Sequence, residues 1–217
     1  MLGRTRINKI EIDVQKLLSL YTDAIERYQD ISYPNIKNRE RYEKQGYFSD
    51  VHTITVDNNE MIEKIIENYP ETDEYFLLPL TRIQNEIAIT QRMSDIGVGA
   101  EVKFISINGK YTRIILDRYD GTLRDIYEDY EEIPEEIYEL IEKMHDDKIL
   151  HRDLSMDNIV YKKRGEDIEY ALIDFGLSAV VKNIDNNIQN ADDIFINKPT
   201  SKWEVYINNQ WSSDWMI

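Results

Sequence analysis

Apolar and polar positions change period several times along the chain, and each change marks an element. Between Asp13 and Ile31, the residues Val14, Leu17, Leu18, Tyr21, Ile25 and Tyr28 fall at i, i+3, i+4, i+7, i+11 and i+14. That spacing predicts one apolar stripe of a helix, which Pro34 stops. From Tyr47 to Val56 the pattern loosely alternates, predicting a strand; Asp57-Asn58-Asn59 supplies a turn and Met61 to Ile66 the returning strand. Thr81 to Ser94 reads as a helix with Ile83, Ile87, Thr90 and Met93 on one side. Glu101 to Ile107 and Lys110 to Asp117 flank Asn108-Gly109, a strong hairpin signal. After Gly121 the period turns helical over Leu123 to Tyr130 and again over Pro134 to Asp147, where Ile137, Leu140, Ile141 and Met144 share a face. Two short strands, Ile159 to Lys162 and Ile168 to Ile173, surround the Arg164-Gly165 turn. The order of strands, then helices, then a small hairpin predicts an α+β chain.

Composition narrows the function classes. With 217 residues and 41% hydrophobic content, the chain can bury a core as one domain or two small lobes. Acidic residues outnumber basic ones 42 to 26, and the net charge of -16 argues against direct nucleic-acid binding or attachment to an anionic membrane. The charge is uneven: residues 1–44 carry nine basic and seven acidic side chains, residues 120–147 two basic and twelve acidic. The acidic run is a solvated face, or a surface that favours a basic substrate or partner. Without cysteine the chain has no disulfide, thiolate metal site or cysteine nucleophile. No apolar run follows the basic residues near the start, and nowhere do about 18 apolar residues run together. An intracellular, cytoplasmic protein without a membrane span is expected.

Candidate chemistry concentrates in His151-Arg152-Asp153-Leu154-Ser155-Met156-Asp157-Asn158 and in Ile173-Asp174-Phe175-Gly176. These segments resemble the H-R-D-L-x-x-x-N catalytic loop and the D-F-G motif of the protein kinase superfamily. The resemblance implies a bilobal protein kinase-like fold of the α+β class, with a small β-rich N-lobe over 41–117 and a truncated helical C-lobe over 118–217. Residues 1–40 would form an N-terminal helical extension. It also implies ATP and Mg2+ as cofactors. Asp153 would accept or orient the proton of a substrate hydroxyl, and the hard oxygens of Asn158 and Asp174 would hold magnesium. His151 and Arg152 would be structural, with His151 beneath Phe175.

The remaining parts of a nucleotide site follow from the same resemblance. Gly46-Tyr47-Phe48-Ser49-Asp50-Val51 is similar to the later part of the glycine-rich phosphate loop, with Lys44 and Ser49 where that family has glycines. Gly46 alone keeps easy access to positive φ, and Ser49 adds a hydroxyl donor. Lys64, the only lysine between Lys44 and Lys103, lies in Met61-Ile62-Glu63-Lys64, which is similar to V-A-I-K. Glu86 on the next helix is its expected ion-pair partner, and Glu63 would face the other side of the strand. The segment 114–123 resembles the inter-lobe hinge. Adenine would be read by backbone near Asp117 and Tyr119, between apolar walls from Val51 and Leu116.

Departures from the family pattern point to an atypical branch. Ser155 stands in the nucleotide site where Ser/Thr kinases usually carry a lysine that neutralises the transferring phosphate. A small hydroxyl residue there resembles the RIO kinases and the small kinase of the KEOPS tRNA-modification complex, whereas Arg152 matches ordinary protein kinases. Only 42 residues follow Phe175, with no A-P-E-like triplet among them, so a reduced C-lobe is expected. Asn190 to Ile196 is expected to be helical, with Asp193 tied to the catalytic loop. Trp203, Trp211 and Trp215 would cap the core, dock a partner or stack on a nucleic-acid base. The expected function is an ATP- and magnesium-dependent phosphotransferase, an atypical Ser/Thr protein kinase with a protein substrate of basic character. A KEOPS-like kinase or ATPase subunit of a tRNA-modifying assembly, a small-molecule kinase and a binding-only pseudokinase scaffold stay open. The N-terminal helix is expected to pack on its own protein; it and the Trp tail are the candidate docking points for a partner.

Overall fold

The computed structural model describes residues 12–42, 49–68, 79–127 and 133–184. Asp13 starts α1 (Val14–Tyr28) by accepting the Lys16 amide on its carboxylate at 3.0 Å, which satisfies one of the helix's unpaired donors. The buried face of α1 is Leu17, Ala24 and Tyr28, with Tyr21 and Ile25 partly buried beside them. Val14 and Leu18, placed in the apolar stripe by their spacing, are instead 56% and 49% exposed. The buried face runs instead along Leu17, Ala24 and Tyr28, which leaves those two at its edge. Burying a side chain such as Leu17 contributes about 1.5–3 kcal/mol.

A five-stranded antiparallel sheet follows, built from β1 (Ile36–Arg41), β2 (Ser49–Val56), β3 (Asn59–Glu67), β4 (Val102–Asn108) and β5 (Tyr111–Asp117). Its order is β1-β2-β3-β5-β4. The β2–β3 turn places Asp57 and Asn58 at φ of 49° and 66°, a left-handed pair that Asp and Asn tolerate best and that matches strand twist. β1 has no counterpart among the expected strands. Five of its six residues are exposed at the sheet edge, so no apolar alternation marks it. Helix α2 (Pro79–Asp95) lies between β3 and β4 in sequence and packs Ile83 and Ile87 with Ile54, Phe104 and Ile114 of the sheet.

Beyond the sheet come β6 (Gly121–Thr122), α3 (Glu135–Asp146), β7 (Ile149–Leu150), β8 (Ile159–Arg164), β9 (Asp167–Leu172) and β10 (Ala179–Val180). β6, β8 and β9 form one small sheet, and β7 pairs with β10. The helix expected from Leu123 is, among the described residues, a 3₁₀ turn over Leu123–Asp125. The Asp125 carboxylate accepts from the Thr122 amide at 2.7 Å and its hydroxyl at 3.0 Å, a local closure that competes with helix continuation. α3 matches its expected face: Ile137, Leu140, Ile141 and Met144 are buried with Met93, Ile149, Leu154 and Phe175.

The two cores are joined through α1 and α2. Asp147 accepts from Arg92 of α2 at 2.8 and 3.0 Å and from Lys16 of α1 at 3.2 Å. Arg27 forks onto Asp95 at 2.6 and 3.0 Å. α1 therefore packs on its own chain. Part of the acidic run is also spent inside the fold, on Asp125 and Asp147. No described helix is long and apolar enough to cross a membrane. The expected helix at Asn190–Ile196, with Asp193, and the three tryptophans lie outside the described residues.

Candidate active site

Strand alternation sends neighbouring residues of β3 to opposite faces. Lys64 pairs in register with Val51 of β2 and Ile114 of β5, and its side chain emerges toward α2. Its Nζ lies 2.7 Å from Glu86 Oε1 and 2.8 Å from Asp174 Oδ1. Glu86 is buried in α2, where the Thr90 hydroxyl also approaches Oε1 at 3.5 Å. On the far face, buried Glu63 accepts from Arg39 at 3.1 Å, from Arg113 at 3.0 Å and from the Tyr33 hydroxyl. A separate cavity of about 490 Å³ opens on that side, lined by Tyr33, Arg39, Ser106, Asn108 and Arg113.

The catalytic-loop segment is tied to the segment after β9 by three bonds, and α2 adds a fourth to that segment. The Ile173 amide donates to Asn158 O at 2.9 Å, and His151 Nε2 pairs with Ile173 O at 2.9 Å. The Ser178 hydroxyl donates to His151 O at 3.1 Å, and Asn85 Nδ2 of α2 donates to Ser178 O at 3.0 Å. The His151 ring also rests 5.0 Å from the buried Phe175 ring. Asn158 Nδ2 donates to the Asp153 carbonyl at 2.7 Å and to its Oδ2 at 3.2 Å, so the carboxamide oxygen is the end turned away from Asp153. Arg152 and Asp174 hold φ of 67° and 65°, a left-handed conformation costly for side-chain-bearing residues and concentrated at functional sites.

Electrostatics follow from this crowding. The Lys64 ammonium holds the Asp174 carboxyl down to about 2, against the opposing effect of burial. Burial pulls the Lys64 pKa down, but Asp174 and Glu86 together outweigh it, so its net shift is upward. Glu86 is raised by burial against the pull of Lys64. Burial also raises the Asp153 carboxyl, and the charge of Asp174 adds to the effect. Asp174 nonetheless keeps 36% of its side chain exposed while its Oδ1 holds Lys64.

Two hard oxygen donors, Asp174 and Asn158, thus stand next to a lysine and a second acid. Among the described residues no group of three or more His, Cys, Asp or Glu side chains could cage a metal alone. Such a sparse set suits magnesium, which completes its shell with waters and substrate phosphate oxygens.

The other expected nucleotide contacts are placed less uniformly. Val51 is half-buried opposite Lys64, and Leu116 belongs to the core above it. The Asp117 carboxylate bonds Lys162 at 2.7 Å while its amide donates to Glu101 O at 2.9 Å. The Tyr119 hydroxyl donates to Glu169 at 3.2 Å, and Lys162 lies 5.6 Å from the Tyr119 ring centre. Both side chains are drawn toward β8 and β9. Ser155 is extended, and its carbonyl accepts the Asn158 amide at 3.0 Å at the start of a 3₁₀ turn. Ser49 opens β2 opposite Ile66, while Gly46, Tyr47 and Phe48 lie outside the described residues.

Arg82 has no place in the expected site, yet it lies beside it. A Cβ added to Gly176 would stand 2.9 Å from Glu86 Oε2 and 3.1 Å from Arg82 Nε. The signal was present: Arg82 is four residues before Glu86, hence on the same helical face.

The chain is similar to known proteins. The "Probable bifunctional tRNA threonylcarbamoyladenosine biosynthesis protein" of Methanocaldococcus jannaschii is 28% identical over 109 residues, 49% of this chain. Those residues span 19% of that relative, so the chain corresponds to about a fifth of its length. A family profile described as the protein kinase domain matches residues 44–196. That match takes in β2, β3, α2, the Asp153 loop and the Asp174 turn, so the chain is a member of the protein kinase domain family, whose chemistry is phosphotransfer from bound ATP.

Proposed function

We propose that the chain is an atypical Ser/Thr kinase that transfers the γ-phosphate of ATP to a protein hydroxyl with the help of Mg2+. The observation that carries this reading is Lys64 held between Glu86 and Asp174 at 2.7 and 2.8 Å. A fixed ammonium beside a metal-competent carboxylate is what triphosphate binding requires. In this reading Lys64 meets the α- and β-phosphates while Glu86 keeps it extended. Asn158 and Asp174 hold the magnesium, which supplies neutralisation of phosphate charge. Asp153, steadied by Asn158, orients the acceptor hydroxyl and takes its proton. The segment Gly46, Tyr47, Phe48 and Ser49 covers the phosphates, and Ser155 leaves room beside them. Adenine lies between Val51 and Leu116 near the backbone of Asp117 and Tyr119. Residues 41–117 and 118–217 act as the two lobes, with 1–40 as an extension.

A second reading is favoured by the tRNA threonylcarbamoyladenosine biosynthesis relative together with Ser155: an ATP-consuming subunit of a tRNA-modifying assembly. Incubation with γ-labelled ATP, Mg2+ and a basic protein acceptor, beside Asp153→Asn, tests both. Asp153-dependent label on serine or threonine supports the kinase. Asp153-dependent release of phosphate without labelled protein favours the second reading. Equal background from both proteins overturns each of them.

A further inference from the structure

We infer that Arg82 supplies the positive charge absent at Ser155, with its guanidinium binding the terminal phosphate of the nucleotide. The inference rests on the phosphotransfer reading above and assigns that site a further residue. Glu86, Asp153 and Asp174 bring three carboxylates together, and Lys64 answers two of them directly. The 155 position carries a hydroxyl, so no cation comes from that place in the loop. Arg82 reaches the same cluster from α2. It lies in the field of Asp174, Glu86 and Asp153, and its Nε is 3.1 Å from where a Gly176 Cβ would be.

Several features make this a phosphate-binding position and not only a brace for Glu86. Gly176 has no side chain, so the guanidinium can pack directly against the turn two residues after Asp174, where a Cβ would stand 3.1 Å from Arg82 Nε. Arg82 is half-buried, which weakens competition from water, and an arginine stays charged under such burial. Its planar fork can take two phosphate oxygens at once, which a lysine cannot. A terminal phosphate entering between Asp153 and Asp174 would therefore meet a cation without movement of the 155 loop.

The test is calorimetric titration with Mg2+ and either ADP or the non-hydrolysable β,γ-imido analogue of ATP. Wild type is expected to prefer the triphosphate. Arg82→Gln is expected to lower affinity for the analogue about tenfold or more while leaving ADP within about twofold. Arg82→Lys should keep part of the preference, and adding Ser155→Lys to Arg82→Gln should restore it, because either position then supplies the charge. An ADP affinity that falls in step with the analogue's, an Arg82→Gln protein that binds both as wild type does, or a Ser155→Lys change that repairs nothing would overturn the assignment. A denaturation midpoint for each variant separates lost folding from lost binding. Wild-type protein that binds neither nucleotide would overturn the phosphotransfer reading itself, whereas wild type that binds and transfers phosphate beside an indifferent Arg82→Gln overturns only this inference.

Discussion

Gly176→Ala probes a closely packed place beside the site. The new methyl carbon would lie 2.9 Å from Glu86 Oε2 and 3.1 Å from Arg82 Nε, both inside normal contact. Arg82 ends in a flexible side chain and can swing aside. Glu86 cannot retreat so easily, because it is buried and its other oxygen holds Lys64 at 2.7 Å. Overpacking of this kind costs about 1–3 kcal/mol. Gly176 is not among the glycines with positive φ, so alanine would fit the backbone, and the reduced freedom of the unfolded chain returns about 0.4–1 kcal/mol. The net loss is therefore about 1–2 kcal/mol, or a melting temperature lower by roughly 3–6 °C for a chain of this length. The displaced Glu86 should also loosen Lys64 and weaken Mg2+·ATP binding by about tenfold, one lost charged hydrogen bond. Circular dichroism melts and nucleotide titration read the two effects. A variant that melts within about 1 °C of wild type, inside the scatter expected of surface changes, and binds nucleotide equally would refute the close packing of Glu86 on Gly176.

Three further outcomes are expected. Glu63→Ala removes a fully buried acid under Arg39 and Arg113 and should cost about 3 kcal/mol in urea unfolding, without changing nucleotide affinity, because Glu63 faces away from Lys64; an unchanged midpoint would contradict the cluster. Met144→Ala, at a fully buried position of α3, should cost about 2–5 kcal/mol in the same assay, and a loss below about 1 kcal/mol would show that the core there closes up. Burial pushes the Asp147 carboxyl up, but the bonds from Arg92 and Lys16 overcome it, so the folded value lies below the ordinary one. Its contribution is complete above about pH 4 and is lost as pH falls through the lower folded value. Asp147→Asn should therefore be less stable than wild type at pH 7 and lose less stability between about pH 4 and pH 2, whereas parallel acid limbs would sink the argument.

What the sequence revealed followed the strength of its local signals. The Asn108-Gly109 hairpin and the α3 face were legible because turn chemistry and period there agree with tertiary packing. β1 was not, since an edge strand of charged residues needs no apolar alternation. The stripe on α1 was placed a little off its buried face: seven-residue spacing marks a face, but which edge is buried depends on the elements packed against it. Lys64 and Glu86 could be located through their order in the chain, and their side chains meet. Arg82 escaped because a charged residue on a helix reads as solvent-facing until something fixes the face. The Leu123 segment misled because a helical composition was closed locally by Asp125.

The bond from the Leu172 amide to Val98 O at 2.9 Å fastens the end of α2 to the strand that runs straight into Ile173 and Asp174. Asn85 of α2 is fastened to Ser178 just beyond Phe175 as well. Glu86 and Asp174 thus ride on a common chassis, clamped on both sides of the acid pair. Lys64 arrives from outside it, on the sheet. Swinging α2 away from Asp174 would tear both clamps, whereas the sheet is held to this unit by the two lysine contacts, by the bond from the Val102 amide to the Ser94 hydroxyl, and by the packing of Ile83 and Ile87 on Ile54, Phe104 and Ile114. A displacement of the helix accordingly carries the acid turn with it, and the lysine of β3 closes that unit from the sheet side.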